Sequence, residues 1–230
     1  MDGLQDAATD LLVAMARPSR HDDTLDYACG VGVGALALAP SVRFVEAVDD
    51  LPDSVDEGRR LAAELGLKTI AFHAADLRAL PFADGAFSLV VCQDALHRLP
   101  DPVAALTEMA RVTSPGGRVV IVDAVVDEVT DAAFNELVAL REPGRRLLSA
   151  DRLTALVADV GLHVTERRDE RRTVDLDYWL QAAAVPTPGA EQARRRVREM
   201  PPAVQERLDL AIADDLVSFS YDVLALRLER

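Results

Sequence analysis

The feature that most constrains this chain is a rhythm. Between residues 24 and 125, short apolar runs of strand length alternate with longer amphipathic stretches. The runs are TLDYA (24–28), VRFVEAV (42–48), KTIAFHA (68–74), FSLVVCQ (87–93) and GRVVIVDAV (117–125). Between them lie GALALA, SVDEGRRLAAEL and PVAALTEMARV. A mostly apolar strand followed by a helical period predicts parallel strands buried on both faces, because each crossover lays a helix on the sheet. The expected fold is therefore α/β, a Rossmann-like doubly wound sheet with helices on both faces.

Punctuation supports the rhythm. Asp101-Pro102 reads as an N-cap followed by proline at the first helical position, and Ser114-Pro115-Gly116-Gly117 ends that helix and turns into the next strand. Leu4, Ala7, Leu11, Leu12 and Met15 predict an opening helix over 4–17, stopped by Pro18. Beyond residue 130 the pattern loosens. It predicts a helix over 131–141, a turn at Pro143-Gly144 and a helix opened by Ser149 and closed at Gly161. A strand near 162–168, helices punctuated by Pro186, Pro188, Pro201 and Pro202, and a last strand near 217–228 follow. This divides the chain into an N-terminal helix or lid (1–20), a ligand-binding core (21–126) and a C-terminal half of the same domain with a helical, substrate-side insertion and the final strands (127–230).

Composition removes several classes. Half of the 230 residues are apolar, which excludes disorder as the main state. The 25 basic against 39 acidic side chains leave a net charge of −14, with Lys68 the only lysine, so nucleic acid is a poor partner. No apolar window reaches membrane-span length, and Asp2, Asp6 and Asp10 stand where a leader would be basic, so a soluble cytoplasmic chain is expected. Cys29 and Cys92 lack CxxC or His spacing and read as buried free thiols, with no metal site. His21, His73 and His163 lie before or within strands and read as structural.

The sharpest motif is Leu25-Asp26-Tyr27-Ala28-Cys29-Gly30-Val31-Gly32-Val33-Gly34, where the first strand runs into the first crossover helix. Glycines there let backbone approach a ligand, although Gly30, Gly32 and Ala35 also satisfy the relaxed dinucleotide fingerprint and small residues at such turns often serve packing alone. Three acids sharpen the reading. Asp26 lies inside the strand, where a carboxylate makes sense beneath something cationic or rich in N–H groups. Asp49 follows the second strand, seventeen residues after Gly32, where an acid accepts from a ribose diol, though it also reads as a surface-loop aspartate. Asp76 follows the third strand.

On these residues the chain resembles the class I S-adenosylmethionine-dependent methyltransferases, in particular the small-molecule subgroup similar to the ubiquinone and menaquinone-biosynthesis methyltransferases with a type 11 domain. The segments that carry the resemblance are LDYACGVGVGALALA, VEAVDDLPDSV, ADLRALPFADGAFSLVVC and DALHRLPDPVAALTEMARVTSPGGRVVIVD. More loosely it continues through FNELVALREP, LTALVADVGLHV and DYWL. It implies a seven-stranded sheet, mostly parallel with the last strand antiparallel. It implies S-adenosylmethionine as cofactor and S-adenosylhomocysteine as product. Ala28, Gly30 and Gly32 would then line the methionine moiety, and Asp26 would face its amino group. Asp49 would grip the ribose, Asp50 and Leu51 would flank the adenine, Asp76 and Leu77 would hold it, and Gln93 would close the pocket. The partner is a small molecule, no membrane is involved, and a homodimer is compatible.

Departures from the family pattern cluster beside the presumed acceptor. Ala28 replaces the first glycine and Ser88 an aspartate, a strand-entry detail. Asp94 replaces an apolar residue, His97-Arg98 a His-His pair, and Arg141-Glu142-Pro143-Gly144-Arg145 an Arg-Asp-Pro-Ser-His run. Methyl transfer is an in-line displacement that mostly needs alignment in a dry pocket, with a base if the acceptor is a hydroxyl. His97, after the fourth strand, is the candidate base, with packing as its plain alternative; Asp94 is a candidate to orient or replace it, or a cap or ion-pair partner of Arg98. Arg141 and Arg145 are candidates to hold an acidic acceptor group, or a solvated helix pair with Glu142. Tyr178 and Trp179 are candidates to roof the acceptor, or ordinary core. A small-molecule methyltransferase leads. A natural-product cyclase or isomerase that keeps the cofactor without consuming its methyl group follows, ahead of a nicotinamide oxidoreductase and a non-catalytic binding module.

Overall fold

The five apolar runs fold as strands β1 (Asp23–Tyr27), β2 (Phe44–Asp49), β3 (Ile70–Ala74), β4 (Phe87–Gln93) and β5 (Thr113–Val126), each parallel to its sheet neighbours among these five. The computed structural model describes residues 7–213 and 216–230, so Leu4 and the rest of 1–6 in the expected lid lie outside the described residues. Helices α1 (Ala7–Ala16), α2 (Val33–Leu38), α3 (Pro52–Glu64) and α4 (Pro102–Val112) accompany these strands. After β5 come α5 (Asp131–Arg141), β6 (Leu148–Ser149), α6 (Ala150–Asp159), β7 (His163–Asp175), α7 (Leu176–Gln181), α8 (Thr187–Arg198), α9 (Pro202–Arg207), β8 (Ala211–Ala213) and β9 (Leu216–Glu229).

The sheet runs in the order β3-β2-β1-β4-β5-β9-β7, with β6 paired to β5 and β8 to β9. Among the described residues nine strands are present where seven were expected; seven form the continuous path, and the additional two are pieces of two and three residues. Arg171 meets Asp222 and Thr173 meets Ser220, at 3.0 and 2.8 Å. Their numbers rise on β7 as they fall on β9, so the last strand runs antiparallel to β7.

The chain divides into two units. The first comprises Met1–Asp123, Thr154–Arg168 and Ala225–Arg230; the second comprises Ala124–Leu153 and Asp169–Leu224. α6 from Thr154 onward and the start of β7 belong to the first unit. In that unit Val90, Val91, Val119, Val120, Ile121 and Val122 are wholly buried, which is why β4 and β5 read as near-continuous apolar runs instead of alternating ones. The second unit has its own core, in which Phe134, Trp179 and Phe219 pack with Leu137, Leu176 and Val217.

Local chemistry places the ends of the elements. Asp101 Oδ1 accepts from Ala104 N at 3.0 Å and starts α4, and Ser149 Oγ accepts from Arg152 N at 3.2 Å at the start of α6. Ser114–Gly117 does not separate α4 from β5 but forms an excursion inside β5, where pairing jumps from Phe87↔Thr113 to Leu89↔Arg118. A Cβ at Gly117 would lie 2.8 Å from the Ser114 carbonyl oxygen, so that bend requires glycine. Ser88 Oγ donates to Asp22 Oδ1 at 2.9 Å, in keeping with a role at the entry of β4.

Candidate functional site

Because β1, β2, β3 and β4 are parallel, the residues at their C-terminal ends share one edge of the sheet. Tyr27 pairs with Val48 and Asp49 with Ala74, so Asp26, Asp49, the segment starting at Ala75 and Gln93 arrive there together. That edge is where open α/β sheets bind ligands.

The glycine loop wraps the end of β1. Ala28, Gly30 and Gly32 have φ of +55°, +55° and +82°, and Cys29 N donates to Val48 O at 2.9 Å. The two glycines serve different ends. A Cβ at Gly32 would lie 2.4 Å from the Phe72 ring and one at Gly58 2.3 Å from it, so Gly32 and Gly58 let β3 pack a phenylalanine beneath the loop. A Cβ at Gly30 would meet nothing within 4 Å, so its open face can receive a ligand. Asp49, 6% exposed, fixes this loop: Oδ2 accepts from Gly30 N at 2.7 Å and Oδ1 from Leu51 N at 3.0 Å.

Asp26 is buried, and Oδ2 accepts from Ala35 N at 2.8 Å. Burial pushes its carboxyl from 3.8 up to about 7, opposed by the Ala35 hydrogen bond and reinforced by the nearby Asp49 charge. Gln93 donates through Nε2 to Thr9 Oγ1 at 3.3 Å, while its Oε1 is buried with no hydrogen-bond partner among the described residues. A Cβ at Gly34 would stand 3.2 Å from Asp26 Oδ2 and 3.5 Å from Gln93 Oε1, so the two acceptors border one small volume that only glycine leaves open. Two buried side-chain acceptors side by side, one of them without a partner among the described residues, suit a ligand that donates N–H groups. Burial also raises the Cys29 and Cys92 thiols, holding both as neutral free thiols; Cys92 is buried as expected, Cys29 only half-buried.

A cleft of about 480 Å³ opens beside this cradle, lined by Tyr27, Asp50, Asp76, Leu77, Arg78 and Leu99 among others. Of the expected adenine residues, Asp50, Asp76 and Leu77 thus line one cleft; Leu51 is 59% exposed. Arg78 forks onto Asp76 at 2.9 and 3.0 Å, and its side-chain and backbone hydrogen bonds hold that carboxyl down at about 2. The segment after β3 is latched from below. Tyr27 Oη donates to Leu77 O at 2.7 Å, Glu108 accepts from Leu80 N at 2.7 Å, and Arg111 donates to Phe82 O at 2.8 Å.

After β4 the chain turns through Asp94, at φ +47°, into a short 3₁₀ turn, Leu96–Arg98. His97 Nδ1 lies 2.5 Å from Asp123 Oδ1, and its backbone N donates to Asp123 Oδ2 at 3.2 Å. The carboxylate holding Nδ1 is Asp123, at the end of the first unit's part of β5. The ring and the carboxylate are 8% and 3% exposed. His73 meets Glu46 at 2.5 Å within the sheet, as a structural residue would, while His21 and His163 are exposed.

The remaining acceptor candidates lie in the second unit. Trp179 is core, with the Arg141 guanidinium 4.7 Å over its ring and Arg141 Nε donating to Trp179 O at 3.1 Å. Tyr178 is 70% exposed, and Arg145 is half-buried just past the turn at Pro143-Gly144. Arg141 and Trp179 thus pack against each other inside that unit. Sequence reasoning missed Tyr27, Phe72 and Asp123. Asp123 carried a signal in its place at the end of an apolar run, the position that marked Asp26 and Asp49.

Residues 25–121 match the family described as a methyltransferase domain. The uncharacterised methyltransferase YcgJ of Bacillus subtilis is 29% identical over 185 residues, 79% of this chain and 73% of its own. Its crystal structure superposes with a TM-score of 0.91 at 24% identity, covering 97% of each chain. A demethylmenaquinone methyltransferase of Beutenbergia cavernae is 40% identical over 108 residues, 47% of this chain and 42% of its own. The [4+2]-cyclase SpnF has the same fold, at a TM-score of 0.66 and 20% identity over 96% of this chain and 79% of its own. The match of residues 25–121 to a methyltransferase domain, with the acids and the open glycine inside the matching segment, supports S-adenosylmethionine as the cofactor.

Proposed function

We propose that this chain methylates a small-molecule acceptor. The observation that carries the reading is the buried Asp26 carboxyl standing with the unpartnered Gln93 Oε1 around the space at Gly34. Such a pair is costly in an empty protein and is relieved by a bound ammonium. In this reading Asp26 and Gln93 take the amino group, Ala28 and Gly30 border the methionine chain, and Asp49 accepts from the ribose. Asp50, Asp76, Leu77 and Leu51 surround the adenine. Asp76 trades part of its Arg78 fork for the exocyclic amine. When bound, the cofactor supplies a methyl group already activated by its sulfonium. The protein's task is alignment and exclusion of water, worth about 7–11 kcal/mol in favourable cases. His97 accepts the proton of a hydroxyl or amine acceptor, a contribution of roughly 100- to 10,000-fold. Arg141, Arg145, Tyr178 and Trp179 remain acceptor-side proposals, with Tyr178 supported by its exposure. Natural-product chemistry, a cytoplasmic location and a homodimer belong to the same reading.

The test is incubation with methyl-labelled S-adenosylmethionine and fractionated small-molecule extracts, following label and S-adenosylhomocysteine together. A methyltransferase yields one S-adenosylhomocysteine per labelled product. The second reading, supported by the shared fold of the cyclase SpnF, predicts product whose formation needs the cofactor yet releases no S-adenosylhomocysteine.

A further inference from the structure

We infer that Asp123 is a positioning residue that locks His97 in the tautomer with its proton on Nδ1, so that Nε2 is the basic atom. Asp123 reaches His97 twice. Oδ1 faces ring Nδ1 at 2.5 Å and Oδ2 accepts from the His97 backbone at 3.2 Å, so ring and chain are held by one carboxylate. A carboxylate only accepts, so the nitrogen facing it carries the proton whether the ring is neutral or charged. The hold is rigid on both sides. Asp123 follows the wholly buried Val119–Val122 stretch of β5, and Asp94 N donates to Val122 O at 2.8 Å, tying the segment after β4 to that strand. On the other side, Leu96 is 2% exposed and anchors the 3₁₀ turn, which closes through Arg98 N to Ala95 O. Both groups are nearly out of water, so the pair acts at low dielectric, where the carboxylate stabilises an imidazolium as it forms.

The consequence rests on the methyl-transfer reading. Nε2 takes the proton released as an O–H or N–H acceptor bonds to the methyl carbon, while the electron pair of the broken C–S bond stays on sulfur. Asp123 keeps its own charge throughout and touches no reacting atom.

The experiment is a long-range proton–nitrogen NMR spectrum of the imidazoles in the ligand-free protein. The chain has four histidines, so His97→Gln identifies the signal. Read at a pH where the ring is neutral, His97 is expected to show a pyrrole-type Nδ1 and a pyridine-type Nε2, with a shift toward Nε2–H in Asp123→Ala. A neutral wild-type ring with its proton on Nε2 instead of Nδ1, or an even mixture of the two tautomers, overturns the inference. The wild-type spectrum decides by itself if the variant does not fold. S-adenosylhomocysteine is titrated into the same sample. No binding with Nδ1–H intact sinks the methyl-transfer reading alone, and binding with Nε2–H sinks this inference alone.

Discussion

Gly30 and Gly32 stand two residues apart in one loop and have opposite environments, which separates binding from packing. Gly30→Ala places a methyl in open space at φ +55°, a conformation its neighbour Ala28 already adopts, so the stability loss should be about 1 kcal/mol. Cofactor affinity should fall tenfold or more. Gly32→Ala drives a methyl into the Phe72 ring and should cost about 2–4 kcal/mol. Urea unfolding and calorimetric titration of both variants check the pair; equal stability losses would contradict it. Asp26 makes a second prediction. With its pKa raised to about 7 against an ordinary 3.8, the folded chain holds a proton that the unfolded chain has lost between about pH 4 and pH 7. Stability contributed by this site therefore declines as pH rises through that window and is flat above it, by at most about 4 kcal/mol. Asp26→Asn should match the wild type near pH 4 in urea unfolding and exceed it at pH 8, while losing cofactor affinity. A variant less stable than the wild type at pH 8 would contradict this.

At the scale of elements, the loop after β3 depends on three residues of two other elements: Tyr27 on β1, and Glu108 and Arg111 on α4. Tyr27→Phe leaves the buried Leu77 carbonyl without its phenolic donor. It should cost about 1–2 kcal/mol and weaken binding of the adenine end, read by competition between S-adenosylhomocysteine and adenosine; unchanged affinity for both would count against the latch. This scale also shows what the sequence carried. The strands β1 to β5, α4 with its Asp101 cap and the acids at strand ends were legible because strand burial, capping and the glycine loop are local signals. The length of β7, which runs to Asp175, was not legible. Its residues are largely exposed and rich in charge of both signs, as an edge strand's are, leaving no apolar period to read. Short β6 and β8 exist only through their pairing partners. At the site, Asp123 was missed because its role depends on bringing the ends of β4 and β5 together. Trp179 could not be assigned between roof and core, since one aromatic at helical spacing serves either.

For the whole molecule, the net charge of −14 and the acids at the C-terminal edge favour a cation. S-adenosylmethionine carries one more positive charge than S-adenosylhomocysteine. Raising salt from roughly 50 to 500 mM should therefore weaken binding of the methyl donor more than that of its product; parallel loss would show that the acidic field plays no part in selecting the donor. The central claim is that the acid-lined edge of β1 to β4 holds this cofactor. Its most direct measurement is calorimetric titration of S-adenosylhomocysteine into the wild type and Asp49→Asn. The account predicts one saturable site in the wild type and a loss of affinity of at least tenfold in the variant. Absence of binding, or equal binding by both proteins, would contradict it.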